Sequence, residues 1–438
     1  MLVSLQLFSA TRLCCALLAV GCLPAILVRA ETSAGSLSLA EAQRLALQNN
    51  PDLRVAQTQV AAALAQLRTV REFPNPVVGV SVSKIDTDGR SNGTPDGNRL
   101  DERSYDTIFS LSQLLELGKR GVRRTAAEAG VRAATAQRDD ARRLLVQAVS
   151  QAYVAALEAQ EEARVLTAST AALRQEAGIA ARRRAAGDIA ASDQAQIEIA
   201  ADQLELDAGS ARARARTTLL VLTTLLNQPV PPVGLVLSDT LDQLPGGAPD
   251  DDTGAAGRRP DIRAAEAGLA QSEAQLTLQK HGVIPDLTVS VQYERQPPDQ
   301  PNTAGVGLSF PLPLWNRNTG AILAAKAARD QAEAQLDKVR VQAAAELASQ
   351  RVAYEEARNR AEVYVRQLQP RSTSITETIA YAYQHGGAAL VELLAAERNN
   401  NDVRLAAVHA RADLLSAAAA LEAALNVSTA AAVNAPAP

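Results

Sequence analysis

The sequence predicts a mainly α protein with a small membrane β-barrel portion, built from a duplicated strand-strand-long helical hairpin unit. Three observations carry this. Two helical stretches run far beyond the length of an ordinary globular helix. Four short strands of alternating polarity come in two pairs. The same order of elements recurs in the second half, with matching residues 199 positions apart.

Composition supports helices packed at close range. Of 438 residues, 47% are hydrophobic but only 3% aromatic, with four Phe, one Trp and one Met, so Ala carries much of the apolar count. Ala favours long helices at short interaxial distance, whereas a bulky globular core draws on Leu, Ile, Phe and Trp. The net charge is -4 with acids and bases interspersed. No basic stripe offers a footprint for a phosphate backbone, which argues against nucleic-acid binding.

The N-terminus holds Arg12, an apolar run from Leu13 to Val28, and Val28-Arg29-Ala30, whose small residues suit cleavage after Ala30. Residues 1–30 therefore read as a signal peptide. The run is shorter than the ~20 residues that cross a bilayer, which weighs against an uncleaved anchor. Ala19-Val20-Gly21-Cys22 offers a competing reading, lipidation at Cys22. Cys14, Cys15 and Cys22 are the only cysteines, so cleavage after Ala30 leaves a mature chain with no disulfide and no thiolate ligand.

The remainder divides into a first repeat (31–228), a Pro-, Gly- and Asp-rich linker (229–257), a second repeat (258–427) and a disordered tail (428–438). The first repeat opens with a capping box, Ser38-Leu39-Ala40-Glu41, and passes Asn50-Pro51-Asp52 into a helix. There Leu53, Val60 and Leu67, and likewise Ala56, Ala63 and Val70, recur every seven residues. Pro74-Asn75-Pro76 breaks the helix, and Val78, Val80 and Val82 then alternate with Gly79, Ser81 and Ser83. After a polar loop from about residue 84 to 103, alternation returns in Tyr105, Thr107, Phe109 and Leu111. From Lys119 no proline appears until Pro229, and Gly187 is the expected turn. The piece up to Ala186 would be roughly 100 Å long at about 1.5 Å per residue.

The second repeat follows the same order. A helix starts at Pro260, strands contain Leu287, Val289, Val291 and Tyr293 and then Val306, Leu308 and Phe310, and a helical stretch runs to Asn426. Its strand loop, about Arg295 to Ala304, is the shorter one. Gly187 aligns with Gly386 and Asn227 with Asn426, both at an offset of 199, agreement across a whole helical hairpin that chance rarely produces. Pro370 should bend or interrupt its helix.

Four strands per chain cannot close a barrel, and an open sheet edge cannot sit in hydrocarbon. Barrels begin at about eight strands, so three chains would make a trimeric barrel of about 12 strands, with the helices as a coaxial periplasmic tunnel below it. Val78, Val80, Val82, Leu287, Val289 and Val291 would then face lipid, and Ser81, Ser83, Ser290 and Gln292 the lumen. Trp315 and Tyr293 fit either an aromatic belt at the membrane surface or local packing beside a Pro-rich turn.

At this point the chain resembles the TolC-like outer-membrane factors. The resemblance rests on Leu39-Ala40-Glu41-Ala42 through Asn50-Pro51-Asp52-Leu53, on Arg259-Pro260-Asp261-Ile262, and on Tyr383-Gln384-His385-Gly386 with Glu392 six residues on. Leu115-Glu116-Leu117-Gly118-Lys119-Arg120 and the run from Phe310-Pro311-Leu312-Pro313 to Trp315-Asn316-Arg317-Asn318 look like the cobalt-zinc-cadmium efflux branch. The resemblance implies a homotrimer spanning the outer membrane that meets a periplasmic adaptor protein and an inner-membrane RND-type pump at its helical tips. It also implies tip and gate residues: Gly187 with Asp193, Gly386 with Glu392, and Tyr383. Some relatives carry an Arg two residues after the second Gly and an Asp nine after it. Here those positions are Ala388 and Ala395, which puts that particular gate network in doubt.

Catalytic chemistry finds no support. There is no phosphate-binding GxxxxGK[ST] loop and no HExxH helix, and His281, His385 and His409 are scattered without a partner at helical spacing. No cofactor and no metal ligand set is expected, since a duct that held its cargo tightly would release it slowly. A periplasmic adaptor would carry one hairpin between Gly-rich β domains, and an exported hydrolase would need a nucleophile or metal constellation; neither pattern is present.

Overall fold

The computed structural model describes residues 36–83, 106–228, 235–244, 246–247, 257, 259–296 and 300–426. The leader with its cysteines, the loop expected at 84–103, and the C-terminal tail lie outside the described residues.

The first repeat begins with β1 (Ser36–Leu37), α1 (Leu39–Asn49) and α2 (Pro51–Thr69). Half of the expected capping box forms. Ser38 Oγ accepts from the Glu41 N–H at 3.3 Å, while the Glu41 carboxylate grips Arg44, with Nε donating at 2.9 Å. Pro51 pushes Asn50 out of the helical region, to φ -63 and ψ 128, and so divides α1 from α2. Asn50 Oδ1 then caps α2, accepting from the N–H groups of Asp52 (2.9 Å) and Leu53 (3.3 Å).

Next come β2 (Val77–Ser83), β3 (Asp106–Leu115), α3 (Arg120–Ala186) and α4 (Ala191–Leu225). With 67 residues, α3 is the spine of the chain, about 100 Å long. The second repeat starts with α5 (Pro260–His281), β5 (Leu287–Gln296) and β6 (Gln300–Ser309) and ends with α6 (Thr319–Val363), α7 (Gln369–Gln384) and α8 (Leu390–Leu425). Strands β5 and β6 are longer than the alternation suggested, because most of the expected loop from Arg295 to Ala304 continues the ladder.

Between α6 and α7 a five-residue π turn, Tyr364–Leu368, marks the interruption expected at Pro370. Proline has no N–H to donate and its ring crowds the carbonyl four residues back. Widening the turn just before it, with the Gln369 N–H reaching Tyr364 O, absorbs both problems without breaking the rod.

The duplication extends to the ties between elements. Asn50 Nδ2 donates to Leu225 O at 3.0 Å, joining the start of α2 to the end of α4. In the second repeat the residue before the proline is Arg259, and its Nη1 donates to Ala424 O at 3.4 Å. Those two carbonyls are 199 residues apart, as are Asn227 (φ 58) and Asn426 (φ 55), the left-handed residues that end α4 and α8. Arg259 is 2% exposed and is held by Asp261 (2.8 Å) and Glu346 (2.7 Å), so the buried charge is paired.

The segment expected to be linker is partly built into the core. Within it, β4 (Val236–Leu237) pairs in parallel with β1. Asp239 Oδ2 accepts from the Leu39 N–H at 2.8 Å and from the Tyr153 hydroxyl at 2.9 Å. Tyr153 is wholly buried, and burial together with the Asp239 carboxylate holds its phenol above the usual tyrosine range. Leu37, Leu237 and Leu241 join Tyr153, Leu222, Leu226 and Leu415 in one cluster at mid-height, where α1, α3, α4 and α8 meet. Composition marks this stretch as loop-rich, but its short apolar pairs find a place against the helices.

The four longer strands form one antiparallel sheet in the order β2-β3-β5-β6. Its register sorts the side chains into two faces. Rows such as Val78-Leu111-Val291-Val306 and Val80-Phe109-Tyr293-Ala304 form one, and Gly79-Ser110-Gln292-Gly305 and Val77-Ser112-Ser290-Gly307 the other. The apolar face meets no helix: Val78 is 73% exposed and Val306 77%.

Candidate functional site

The two hairpin tips are built alike. At the end of α3, Gly187 takes φ 87; its N–H donates to Arg184 O and the Asp188 N–H to Arg183 O, both at 2.9 Å. At the end of α7, Gly386 takes φ 77; its N–H donates to Tyr383 O at 3.1 Å and the Gly387 N–H to Ala382 O at 2.7 Å. Both are Schellman caps, which satisfy the last helical carbonyls and require a left-handed residue. No atom lies within 4 Å of a Cβ placed on either glycine, so backbone conformation alone, not crowding, calls for Gly within this chain.

Asp193 and Glu392 occupy the third position of α4 and α8, which begin after Ala190 and Ala389. Glu392 reaches back, its carboxylate accepting from the Ala389 N–H at 3.2 Å, and both acids sit where the helix dipole favours negative charge. Their spacing from the glycines is thus that of a turn, a short link and a helix N-terminus. Glu392 is exposed and Asp193 half-buried.

Tyr383 lies between the hairpins, 3% exposed, among Leu173, Ala177, Ala180, Ile197 and Leu393. Its hydroxyl is buried and has no hydrogen-bond partner among the described residues. Burial raises the phenol pKa; the nearby Arg183 charge opposes this, and Asp193 and Glu176 reinforce it.

The structure therefore brings Tyr383 and Asp193 within electrostatic reach of each other but joins them by no bond. Two ties that sequence reasoning missed do cross between the hairpins here. Arg183 Nη1 donates to Tyr383 O at 3.0 Å, with its guanidinium carbon 5.3 Å from the Tyr383 ring centre. Gln384 Nε2 donates to Glu176 Oε1 at 2.9 Å. Nothing local in the sequence signals either contact, because the partners are about 200 residues apart. Beside them Glu397 is pushed above the usual carboxylate range by burial and by the Glu176 charge, with Arg404 opposing.

The histidines do not converge. Exposed His385 stacks on Tyr381 and its Nδ1 lies 2.8 Å from Tyr381 O, His409 Nδ1 lies 2.6 Å from Glu158 Oε1, and His281 sits at the far end of α5. Among the described residues no group of three or more His, Cys, Asp or Glu could hold a metal ion. No described helix is long and apolar enough to cross a membrane. The exposed apolar surface belongs to the sheet.

A hairpin-tipped helical rod carrying an apolar, open-edged sheet at its other end is a build with known relatives. The pattern of the outer membrane efflux protein family matches residues 42–228 and 254–427. The chain belongs to that family. The two matched stretches fall on the two repeats and omit most of the Pro- and Gly-rich segment between them.

Among similar proteins, the cobalt-zinc-cadmium resistance protein CzcC of Cupriavidus metallidurans is 27% identical over 303 residues, 69% of each chain. The nickel-cobalt-cadmium resistance protein NccC of Alcaligenes xylosoxydans xylosoxydans is 27% identical over 321 residues, 70% of each chain. In fold, the chain is similar to the open state of the MtrE outer membrane channel of Neisseria gonorrhoeae. The TM-score is 0.75 at 20% identity, covering 88% of either chain. For an outer membrane efflux protein of this build, the sheet is the membrane end and the Gly187 and Gly386 turns are the opposite, helical end.

Proposed function

We propose that the chain is the passive outer-membrane exit duct of a tripartite efflux system, working with a periplasmic adaptor protein and an inner-membrane RND-type pump on heavy-metal cations. The observation that carries this reading is the sheet: four strands, both edges unpaired among the described residues, and an apolar face open to its surroundings. Such a sheet is stable in a bilayer only when closed, and three copies edge to edge make a barrel of about 12 strands.

The helices support the same homotrimer. On α4 the exposed Ile199, Leu206 and Leu220 are spaced by seven and fourteen, and on α6 the exposed Val341, Val352 and Val363 by eleven. Apolar stripes with helical periods and no partner in the chain are what neighbouring copies would cover. The names of the relatives support the metal cargo. In this reading residues 1–30 are removed on export, 31–228 and 258–427 are the two repeats, and the tips meet the adaptor. Asp193 and Glu392 line the entrance, where threefold symmetry would repeat each acid and favour cations.

The test is a gene deletion complemented with the wild-type chain, read as tolerance to cobalt, zinc and cadmium, together with conductance of the purified protein in planar bilayers. Restored tolerance and a cation-preferring pore are expected. A protein that forms no pore removes the duct; a pore with no metal phenotype removes only the cargo.

A further inference from the structure

The exposed apolar surface does not stop where the strands stop. Where sheet gives way to helix, the chain presents Phe73 after α2, Leu117 after β3, Ile284 after α5, and Phe310 and Trp315 after β6, all exposed. Trp315, the single tryptophan of the chain, is 93% exposed, so local packing beside the Pro-rich turn does not account for it. The aromatics come one group per repeat, Phe73 in the first and Phe310 with Trp315 in the second.

Beside each aromatic stands an arginine with no carboxylate partner among the described residues. The Arg120 guanidinium carbon lies 3.6 Å from the centre of the Phe73 ring, and its Nη2 donates to Arg71 O at 2.6 Å. Arg317 is exposed two residues beyond Trp315. The other cations near this level are already engaged: Lys119 with Asp286 at 2.9 Å, Arg123 with Glu116 at 2.5 Å, and Arg124 with Glu128 at 2.7 Å.

An exposed ring of apolar side chains accompanied by unpaired arginines is unfavourable in plain water and matched to an interface. Strands β5 and β6 are 10 residues each, the length that crosses a hydrocarbon core when tilted. Their ends, and the junction just beyond, therefore fall at headgroup depth. Indole and phenyl rings settle there, and a guanidinium finds phosphate oxygens in the geometry it binds best.

We infer that the sheet-to-helix junction is a lipid collar, in which Phe73 and Trp315 lie in the interface of a phospholipid leaflet and Arg120 and Arg317 bind its phosphate groups. This rests on the reading of the sheet as a membrane barrel and adds where the membrane ends and what chemistry holds the chain at that height. The collar faces outward, continuous with the apolar face of the sheet, so it meets lipid and not the lumen.

Trp315 is its own probe. The full-length protein is placed in lipid nanodiscs with and without anionic phospholipid, and its pore activity is confirmed in planar bilayers made from the same preparation. Trp315 emission should move to shorter wavelength than in an unfolded control. A nitroxide carried near the lipid headgroup should quench it about twofold more than one at the chain terminus, while aqueous iodide quenches little. Replacing both arginines (Arg120→Gln, Arg317→Gln) should leave conductance unchanged and lower the boundary preference for anionic over zwitterionic phospholipid by about fivefold for each arginine removed.

Emission at the water-exposed wavelength with strong iodide quenching, in a preparation that conducts, would overturn the collar and leave the duct in place. Emission protected from both quenchers would point to a protein contact instead and overturn it equally. An unchanged lipid preference in the double variant would remove the phosphate contacts. A preparation that never conducts fails the duct reading, which the emission data then cannot rescue.

Discussion

At the tips, individual residues make opposite demands. Gly187 and Gly386 hold left-handed conformations that cost an L-residue about 1–2 kcal/mol. Gly187→Val is expected to lower metal tolerance sharply while trimer yield in detergent stays near wild type, since the strain sits at an exposed turn; a collapsed yield would show the turn to be needed for folding. Tyr383 offers the reverse case. Its hydroxyl is buried and unpartnered within the chain, so Tyr383→Phe should leave the thermal midpoint unchanged or raise it, by up to ~1 kcal/mol of stability. A lowered midpoint would mean that the phenol gains a partner in the assembled protein.

His409 adds a pH dependence. The Glu158 carboxylate 2.6 Å away raises the imidazole pKa above its ordinary 6.5, against the effect of burial, with Glu162 adding to the shift and Arg214 opposing it. A raised folded-state pKa means that the pair stabilises fully below about pH 6.5 and that this contribution fades as pH rises through the folded value. His409→Gln should therefore lose stability relative to wild type at pH 6 and match it at pH 9. Equal loss at both values would assign the residue to packing alone.

At the scale of elements, periodicity read well and punctuation less so. The heptad pattern, the period-two strands and the glycine turns each depend on neighbours within a few residues, and those elements are where they were expected. The π turn before Pro370 keeps α6 and α7 as one rod. The β1-β4 pair went unread because two-residue strands have no period, and because Asp239 acquires its meaning only from Tyr153, 86 positions away. Asp239→Ala leaves the Leu39 N–H without its partner and the Tyr153 hydroxyl with only Leu37 O, and should destabilise the protein by about 2–4 kcal/mol. A thermal midpoint within a degree or two of wild type would show that β1 and β4 are dispensable.

For the whole molecule, the register of the sheet makes the orientation testable. Cysteines placed at Val80, Val291 or Val306 should resist a membrane-impermeant thiol reagent in intact vesicles, while those at Ser81, Ser110 or Gln292 react through the lumen. Preferential labelling of the valine set would reverse the faces.

The arrangement of these pieces divides by range of interaction. Order of elements, duplication, turn positions and the polarity of each strand face follow from contacts within a turn or a strand, and one chain's amino acids dictate them. Which residues meet across the chain does not follow in that way. Arg183 reaches Tyr383, Arg259 reaches Glu346 and Ala424, and part of an apparent linker enters the core, because long-range contacts depend on how the α3 rod sets the height of everything packed along it. An apolar stripe in sequence shows that burial is required. Only the packed structure shows which stripes the chain buries by itself and which, like the sheet face, are left for lipid or another copy.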